Sequence, residues 1–328
     1  MRRSIGALAA AVWAASAAAH PSFVDQPEVQ TFIADMSARH GFVARELEAL
    51  FGRARFDPDV IRLITPKPPS ERSWQEYRVR FVNERRITAG VRFRADNAGA
   101  LARAEAEYGV PADIIVAIIG IETEFGRHMG QFRVVDALST LAFDYPLRSD
   151  YFRSQLEEFL LFAREDGRNV FGLKGSYAGA MGIPQFMPGS YRRYAVDFDG
   201  DGNRDLLDSP ADAIGSVANF LKAHGWKRGE SVAYPASVEG DAYHAFVDES
   251  VKPRYRAEAL REAGVTFSSE ATPDTKCVLV ELESPDAPAE HYVGLHNFYV
   301  LTRYNRSNFY AAAVVELADE IRIASANR

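Results

Sequence analysis

Val29, Phe32, Ile33 and Met36 recur at helical spacing, and Gly41 stands where a helix C-cap belongs. Val43, Leu47, Leu50 and Phe51 repeat the pattern. The run PKPP (66–69) interrupts it, because proline disfavours helix at its own position and at the residue before. Ser70 then stands as an N-cap before a helix carrying Trp74, Tyr77 and Phe81. An alanine-rich helix is expected over 97–108, closed by Gly109, with Pro111 at the first position of the next. Ser149 is the expected cap of a helix whose Phe152, Leu156, Phe159 and Leu160 face inward. After Trp226 the period shortens. Alternation and β-branched residues in CVLVEL (277–282) and FYVLT (298–302) predict strands, and 227–296 reads as a small antiparallel β unit. A last helix is expected over 310–323.

A chain of 328 residues suggests two or three compact units, and 47% hydrophobic with 25% charged residues fits a globular protein. Lys and Arg total 38 against 45 Asp and Glu, a formal charge of −7, which repels phosphate backbones and excludes nucleic acid as an expected partner. Cys277 stands alone, so neither an intrachain disulfide nor a cysteine metal cluster is available. The first residues follow a different logic. Arg2 and Arg3 precede an apolar run, and Ala17-x-Ala19 closes it, the layout of a secretory signal peptide over 1–19. The apolar run is shorter than the roughly 20 residues a membrane span needs. No cysteine follows it, so the expected product is a periplasmic protein without a membrane anchor.

Three segments carry candidate chemistry. In VPADIIVAIIGIETEFG (110–126), Ile114, Ile115, Val116, Ile118, Ile119 and Ile121 leave no polar side, so the helix is buried. Glu122 falls in its last turn, with Gly126 placed to end it. Desolvation there raises a carboxyl pKa and suits a general acid, while Glu124 lies about 200° further round and makes no pair with it. An ordinary helix-end glutamate, exposed or paired with Arg127, is the plainer reading of the same position. The second segment, KGSYAGAMGIPQFMPGSY (174–191), has no P-loop or Gly-x-Ser-x-Gly spacing. Its Ser176, Tyr177, Gln185 and Tyr191 offer neutral hydrogen bonds and ring faces suited to sugars, or simply pack through the small residues between them.

The third segment, DFDGDGNRD (197–205), places Asp197, Asp199 and Asp201 at positions 1, 3 and 5 of an EF-hand-like loop, with Gly202 at the sharp turn and the Asn203 carbonyl at position 7. Position 12 is Asp208, which reads better as the N-cap of the next helix, and Asp212 is the alternative final ligand for a structural Ca²⁺. The histidines fall at no metal-ligand spacing.

The motifs GIETEFGRHMG, LAFDYPLRSDYF, GSYAGAMGIPQFMPGSYRRYAVDFDGDG, DAIGSVANFLKAHGW and NFYVLTRYNRSNFYAAAV resemble, in order and spacing, the lytic murein transglycosylase B family over roughly 70–320. The resemblance implies a mainly α protein: a lysozyme-like α core, a helical N-terminal domain and a small inserted antiparallel β domain. Laid on this chain, that gives a helical domain over 20–99, a core over 100–226 containing the 197–212 loop, the β domain over 227–296, and a return to the core over 297–328. It also implies that Glu122 is the catalytic acid and that Tyr77, Arg148, Tyr151, Ser176, Gln185, Tyr304, Asn305 and Tyr310 line a cleft for peptidoglycan glycan strands. Two departures stand out: Phe220 replaces a cleft tyrosine, and the segment between Asp208 and Asp212 is one residue longer than the family pattern. The implied reaction breaks the β-1,4 bond between N-acetylmuramic acid and N-acetylglucosamine, leaves 1,6-anhydromuramoyl ends, and needs no cofactor. A lysozyme-type hydrolase and a non-catalytic wall-binding protein are the alternatives.

Overall fold

The computed structural model describes residues 21–66, 68, 73–248 and 250–327; the leader expected over 1–19 and the cap expected at Ser70 lie outside them. Contacts divide the chain into two units, 1–56 and 57–328. In the first, helices α1 (Pro27–His40) and α2 (Ala44–Phe51) follow a short 3-10 turn. Val29, Phe32, Ile33, Met36, Leu47 and Phe51 are buried, with the Phe32 and Phe51 rings edge-to-face at 5.9 Å. Gly41 ends α1 in the left-handed conformation, at φ 65°.

The second unit begins with α3 (Pro58–Ile64), capped by Asp57, and α4 (Trp74–Phe81), capped by Ser73, whose hydroxyl accepts from the Glu76 N–H. Then come α5 (Glu84–Asp96), α6 (Ala98–Tyr108) and α7 (Ala112–Thr123). Pro111 precedes α7 as its extended N-cap residue rather than opening the helix. A two-residue ladder joins β1 (Phe132–Arg133) to β2 (Lys174–Gly175) across α8 (Val134–Phe143) and α9 (Ser149–Glu165). Ser149 is the first residue inside α9 and makes no capping bond, because Pro146–Arg148 already coils as a 3-10 turn. Next are α10 (Pro188–Tyr194) and α11 (Pro210–Ala223). The cap of α11 is Ser209, not Asp208: its hydroxyl accepts from the Asp212 N–H at 3.2 Å.

Beyond Trp226 the expected β unit forms. Strands β3 (Ala233–Val238), β4 (Tyr255–Arg256), β5 (Val265–Thr266), β6 (Lys276–Ser284) and β7 (Ala287–Gly294) pair antiparallel in the order β4-β6-β7-β3-β5, with α12 (Ala257–Glu262) against one face. Cys277, Leu279, Val293, Ala257 and Leu260 form its core. The strand expected over 298–302 is instead the middle of α13 (His296–Tyr304), and α14 (Asn308–Ala326) closes the chain. Within 298–302 only Tyr299 is half-exposed, so that stretch alone does not show the helical period; His296 and Arg303, which complete the outer face of α13 with Tyr299 at i, i+3 and i+7, lie outside it.

Helix α7 is the centre of this unit. It packs on α5, α6, α11 and α14, and Ile115 through Ile119 are fully enclosed. Helices α4 and α5 (residues 74–96) pack on α14, within the same unit as α7. No helix among the described residues is long and apolar enough to cross a membrane.

Candidate active site

Glu122 occupies the last turn of α7, and the helix does not run on to Gly126. Three successive residues, Glu124, Phe125 and Gly126, take positive φ values of 51°, 62° and 85°. Two of them carry side chains, so the turn needs support. Thr123 supplies part of it: its hydroxyl donates to the Ile183 carbonyl at 2.7 Å and accepts from the Gly126 N–H at 2.9 Å. Glu124 supplies more. Its carboxylate is buried and meets Arg85 at 2.6 Å, with Arg127 and His128 each at 3.5 Å. Phe125 turns inward, 5.2 Å from the Phe93 ring, against the bare faces of Gly90 and Gly120. A Cβ on Gly120 would meet that ring at 2.8 Å, and one on Gly90 would meet it at 3.2 Å.

The Glu122 side chain is surrounded by protein yet still reached by solvent. Burial pushes its pKa up to about 7, while the Tyr310 hydroxyl, buried and with no other partner among the described residues, interacts with the carboxyl and pulls the other way. Tyr310, Tyr304 and Tyr77 are each pushed above the usual phenol range, first by their own burial and then by the Glu122 charge. All three therefore remain hydrogen-bond donors. Tyr304 and Tyr310 lie parallel with ring centres 6.2 Å apart, and the Tyr304 hydroxyl donates to the Pro184 carbonyl at 2.6 Å. Tyr77 rests on Phe81, Phe309 and Trp74, at 4.5, 5.8 and 6.3 Å. An aromatic wall thus borders one carboxyl.

The other expected cleft residues fall into smaller groups. Gln185, at φ 51°, donates its amide to the carbonyls of Gly182 and Met129, which leaves its oxygen free to accept. Ser176 begins the turn after β2, its hydroxyl accepting from the Ala180 N–H at 3.1 Å. Gly175 before it is obligatory, since a Cβ there would meet the Ala180 oxygen at 2.2 Å. Arg148 lies over the exposed Tyr151 ring at 4.3 Å. Asn305 is exposed at the end of α13. Tyr191 is not a sugar face: it is fully buried and donates to the Arg204 carbonyl. Sequence reasoning passed over Thr123 and Phe309; only the polar residue directly after Glu122 hinted at the first, and nothing marked the second.

The acidic loop divides. Asp197, Asp199 and Asp212 bring carboxylate oxygens within 4.8 Å of one another, a hard-oxygen set of the kind Ca²⁺ takes. Asp201 is outside that set and accepts from the Asn203 N–H at 2.7 Å. Asp212 is buried, and its two oxygens accept from the N–H groups of Phe198, Asp199 and Asp205. Gly202, at φ 91°, makes the turn that lets the loop close on Asp197.

One enclosed acid under an aromatic wall, on a helical core with a β insertion, defines a lysozyme-like enzyme fold. Over residues 24–319 the chain matches the transglycosylase SLT domain, and it belongs to that family. It is 42% identical over 311 residues to the membrane-bound lytic murein transglycosylase B of Escherichia coli (strain K12), covering 92% of this chain and 84% of the relative. The soluble lytic transglycosylase SltB1 of Pseudomonas aeruginosa is 47% identical, with a TM-score of 0.85 over 92% of this chain and 100% of that one. The Escherichia coli lytic transglycosylase Slt35 in complex with calcium is 41% identical, with a TM-score of 0.83 over 94% of this chain and 96% of that one.

Proposed function

We propose that Glu122 is the acid and base of a lytic murein transglycosylase acting on peptidoglycan, and that the enzyme works in the periplasm after loss of a leader over 1–19. The observation that carries the reading is the enclosed Glu122 carboxyl, with a pKa pushed up to about 7, bordered by phenols that stay protonated. Protonated Glu122 gives its proton to the glycosidic oxygen between N-acetylmuramic acid and N-acetylglucosamine. As that bond breaks, the substrate's own N-acetyl carbonyl steadies the positive charge at C1. Ionised Glu122, held by the Tyr310 hydroxyl, then removes the proton from the muramoyl 6-hydroxyl as it attacks C1. A 1,6-anhydro ring forms and Glu122 is reprotonated. Ser176, Gln185, Tyr77, Tyr304, Asn305, Arg148 and Tyr151 bind the glycan.

A hydrolase usually adds a second carboxylate to activate water or form a covalent intermediate. The acids near Glu122 in sequence are occupied elsewhere: Glu124 by Arg85, Arg127 and His128, Asp136 by Arg133 at 2.6 Å, and Asp150 lies exposed beside Arg153 at 3.6 Å. Asp144 ends α8. The tethered 6-hydroxyl has the advantage, since tethering is worth effective molarities up to about 10⁵–10⁸ M. Digestion in ¹⁸O-labelled water is expected to leave new muramoyl ends unlabelled and lighter than hydrolysis products by one water in mass spectrometry. Labelled reducing ends at the earliest times would make the enzyme a lysozyme. Asp197, Asp199 and Asp212 would hold a structural Ca²⁺, which supplies cross-linking of the loop and no chemistry.

A further inference from the structure

Strand β3 changes partner halfway. Its residues 233–236 pair with β7, ending at the Ala236–His291 pair, while Ser237 and Val238 pair with Thr266 and Val265 of β5. The Leu295 N–H donates to the Val232 carbonyl, so even-numbered residues of this stretch turn their main chain towards β7. The Glu239 N–H donates to the Gly264 carbonyl, so odd-numbered residues turn towards β5. Past Ala236, then, β3 and β7 part like a fork. Val238 keeps Val265 of β5 as its ladder partner, but its main-chain groups and those of Ala289 face into the fork, where the β3–β7 register does not continue past Ala236–His291 among the described residues.

The fork is a cavity of about 540 Å³, lined by Ser237, Val238, Tyr243, Pro288, Glu290 and His291 among others, and none of the Glu122 cleft residues borders it. His291 on its wall is buried, bonded through Nε2 to Glu281 at 3.0 Å, and met edge-on by the Tyr243 ring at 5.4 Å. The nearest cation to Glu290 among the described residues is Arg78, at 3.9 Å, and Arg78 is already engaged by Glu316 at 2.6 Å. The fork therefore offers unpaired strand edges, apolar proline and tyrosine walls, and a carboxylate with spare capacity.

We infer that this fork is a second, non-catalytic binding site for a short extended peptide bearing a free amine, the chemistry of the stem peptides carried by murein strands. The peptide main chain adds to the Val238 and Ala289 edges, as an extended peptide does at any open sheet edge. Its amine reaches Glu290, and its aliphatic carbons lie on Tyr243 and Pro288. The choice of stem peptide rests on the peptidoglycan reading; the fork itself does not.

The test titrates the full chain with a murein tetrapeptide, amine free or acetylated, by calorimetry, and in parallel measures cleavage of peptide-free glycan. The free-amine peptide is expected to bind and the acetylated one to bind at least about tenfold more weakly, the scale of one lost hydrogen bond to a charged group. Glu290→Gln should cost a similar factor. Ser237→Trp, at an exposed position, should fill the gap and abolish binding. Both variants should keep wild-type cleavage of peptide-free glycan; if Ser237→Trp does not fold, Glu290→Gln decides. Absence of binding, equal binding of the two peptides, or binding indifferent to the variants would overturn the proposal. Cleavage of peptide-free glycan without peptide binding sinks the fork alone, whereas failure to cleave any glycan sinks the peptidoglycan reading.

Discussion

Glu122→Gln is expected to lower kcat by about 10²–10⁴-fold with KM little changed, the usual contribution of one general acid–base group, here serving both half-steps. The amide keeps the size and hydrogen-bonding capacity of the acid but delivers no proton, so glycan binding persists. Glu124→Gln should do the reverse, because it strips a carboxylate from Arg85, Arg127 and His128 without touching the proton path. Turnover should survive, and the melting temperature should fall by the equivalent of about 1–3 kcal/mol, towards the lower end because Arg85, Arg127 and His128 are well exposed. Loss of turnover in Glu124→Gln with retention in Glu122→Gln would remove Glu122 from its role. The pH dependence follows from the same burial. With its pKa raised to about 7, Glu122 is protonated below neutrality, and the rate should fall as pH rises through 7. Folding stability has the same sign: a carboxyl whose pKa is higher folded than unfolded favours the native state at low pH and loses that contribution as pH rises through its folded pKa. Glu122→Gln should therefore melt higher than wild type at pH 8 and alike at pH 4.

The second large effect lies in the acidic loop. Asp212→Ala removes the acceptor of three backbone N–H groups around a buried site, and each stripped donor costs about 1–3 kcal/mol. It should lower the melting temperature with or without calcium. Asp197→Ala, on the exposed side of the loop, should mainly lose the gain that calcium brings, which is about 2.7 kcal/mol at a hundredfold excess over Kd. Melting curves of both variants in calcium and in chelator separate the roles. Identical wild-type curves in the two conditions would remove the ion from the account.

The carrier of the acid was legible because its pattern is extreme: a helix apolar on every side cannot lie at a surface, so a glutamate in its last turn has to be enclosed or paired. The helix stop was misread at Gly126 because left-handed backbone at Glu124 and Phe125 is enforced by tertiary packing rather than by residue type. At α13 the window was too short: of residues 298–302 only Tyr299 is half-exposed, and the His296 and Arg303 that complete its outer face lie beyond the apolar run. Capping positions shifted by one to three residues, at Ser73, Arg148 and Ser209, because several polar residues compete near each helix start and only the approach of the chain chooses among them. Tyr77, Tyr304 and Tyr310 converge from α4, α13 and α14, far apart in sequence, and no local pattern marks them; the family resemblance named them. Asp212 was legible from spacing, but its work for three backbone N–H groups was not.

The bare faces of Gly90 and Gly120 set a limit on how this enzyme is engineered. Exchanging a mid-helix glycine for alanine is a routine way to stiffen a protein, gaining about 1 kcal/mol where the new methyl finds room. Here each methyl would land on the Phe125 ring, and on Gly90 also on Ile321 at 2.4 Å. The ring cannot yield without moving the turn that follows Glu122. A thermostability screen would discard both changes as merely destabilising, and a consensus design that inserts them would hand back a folded protein with its acid displaced.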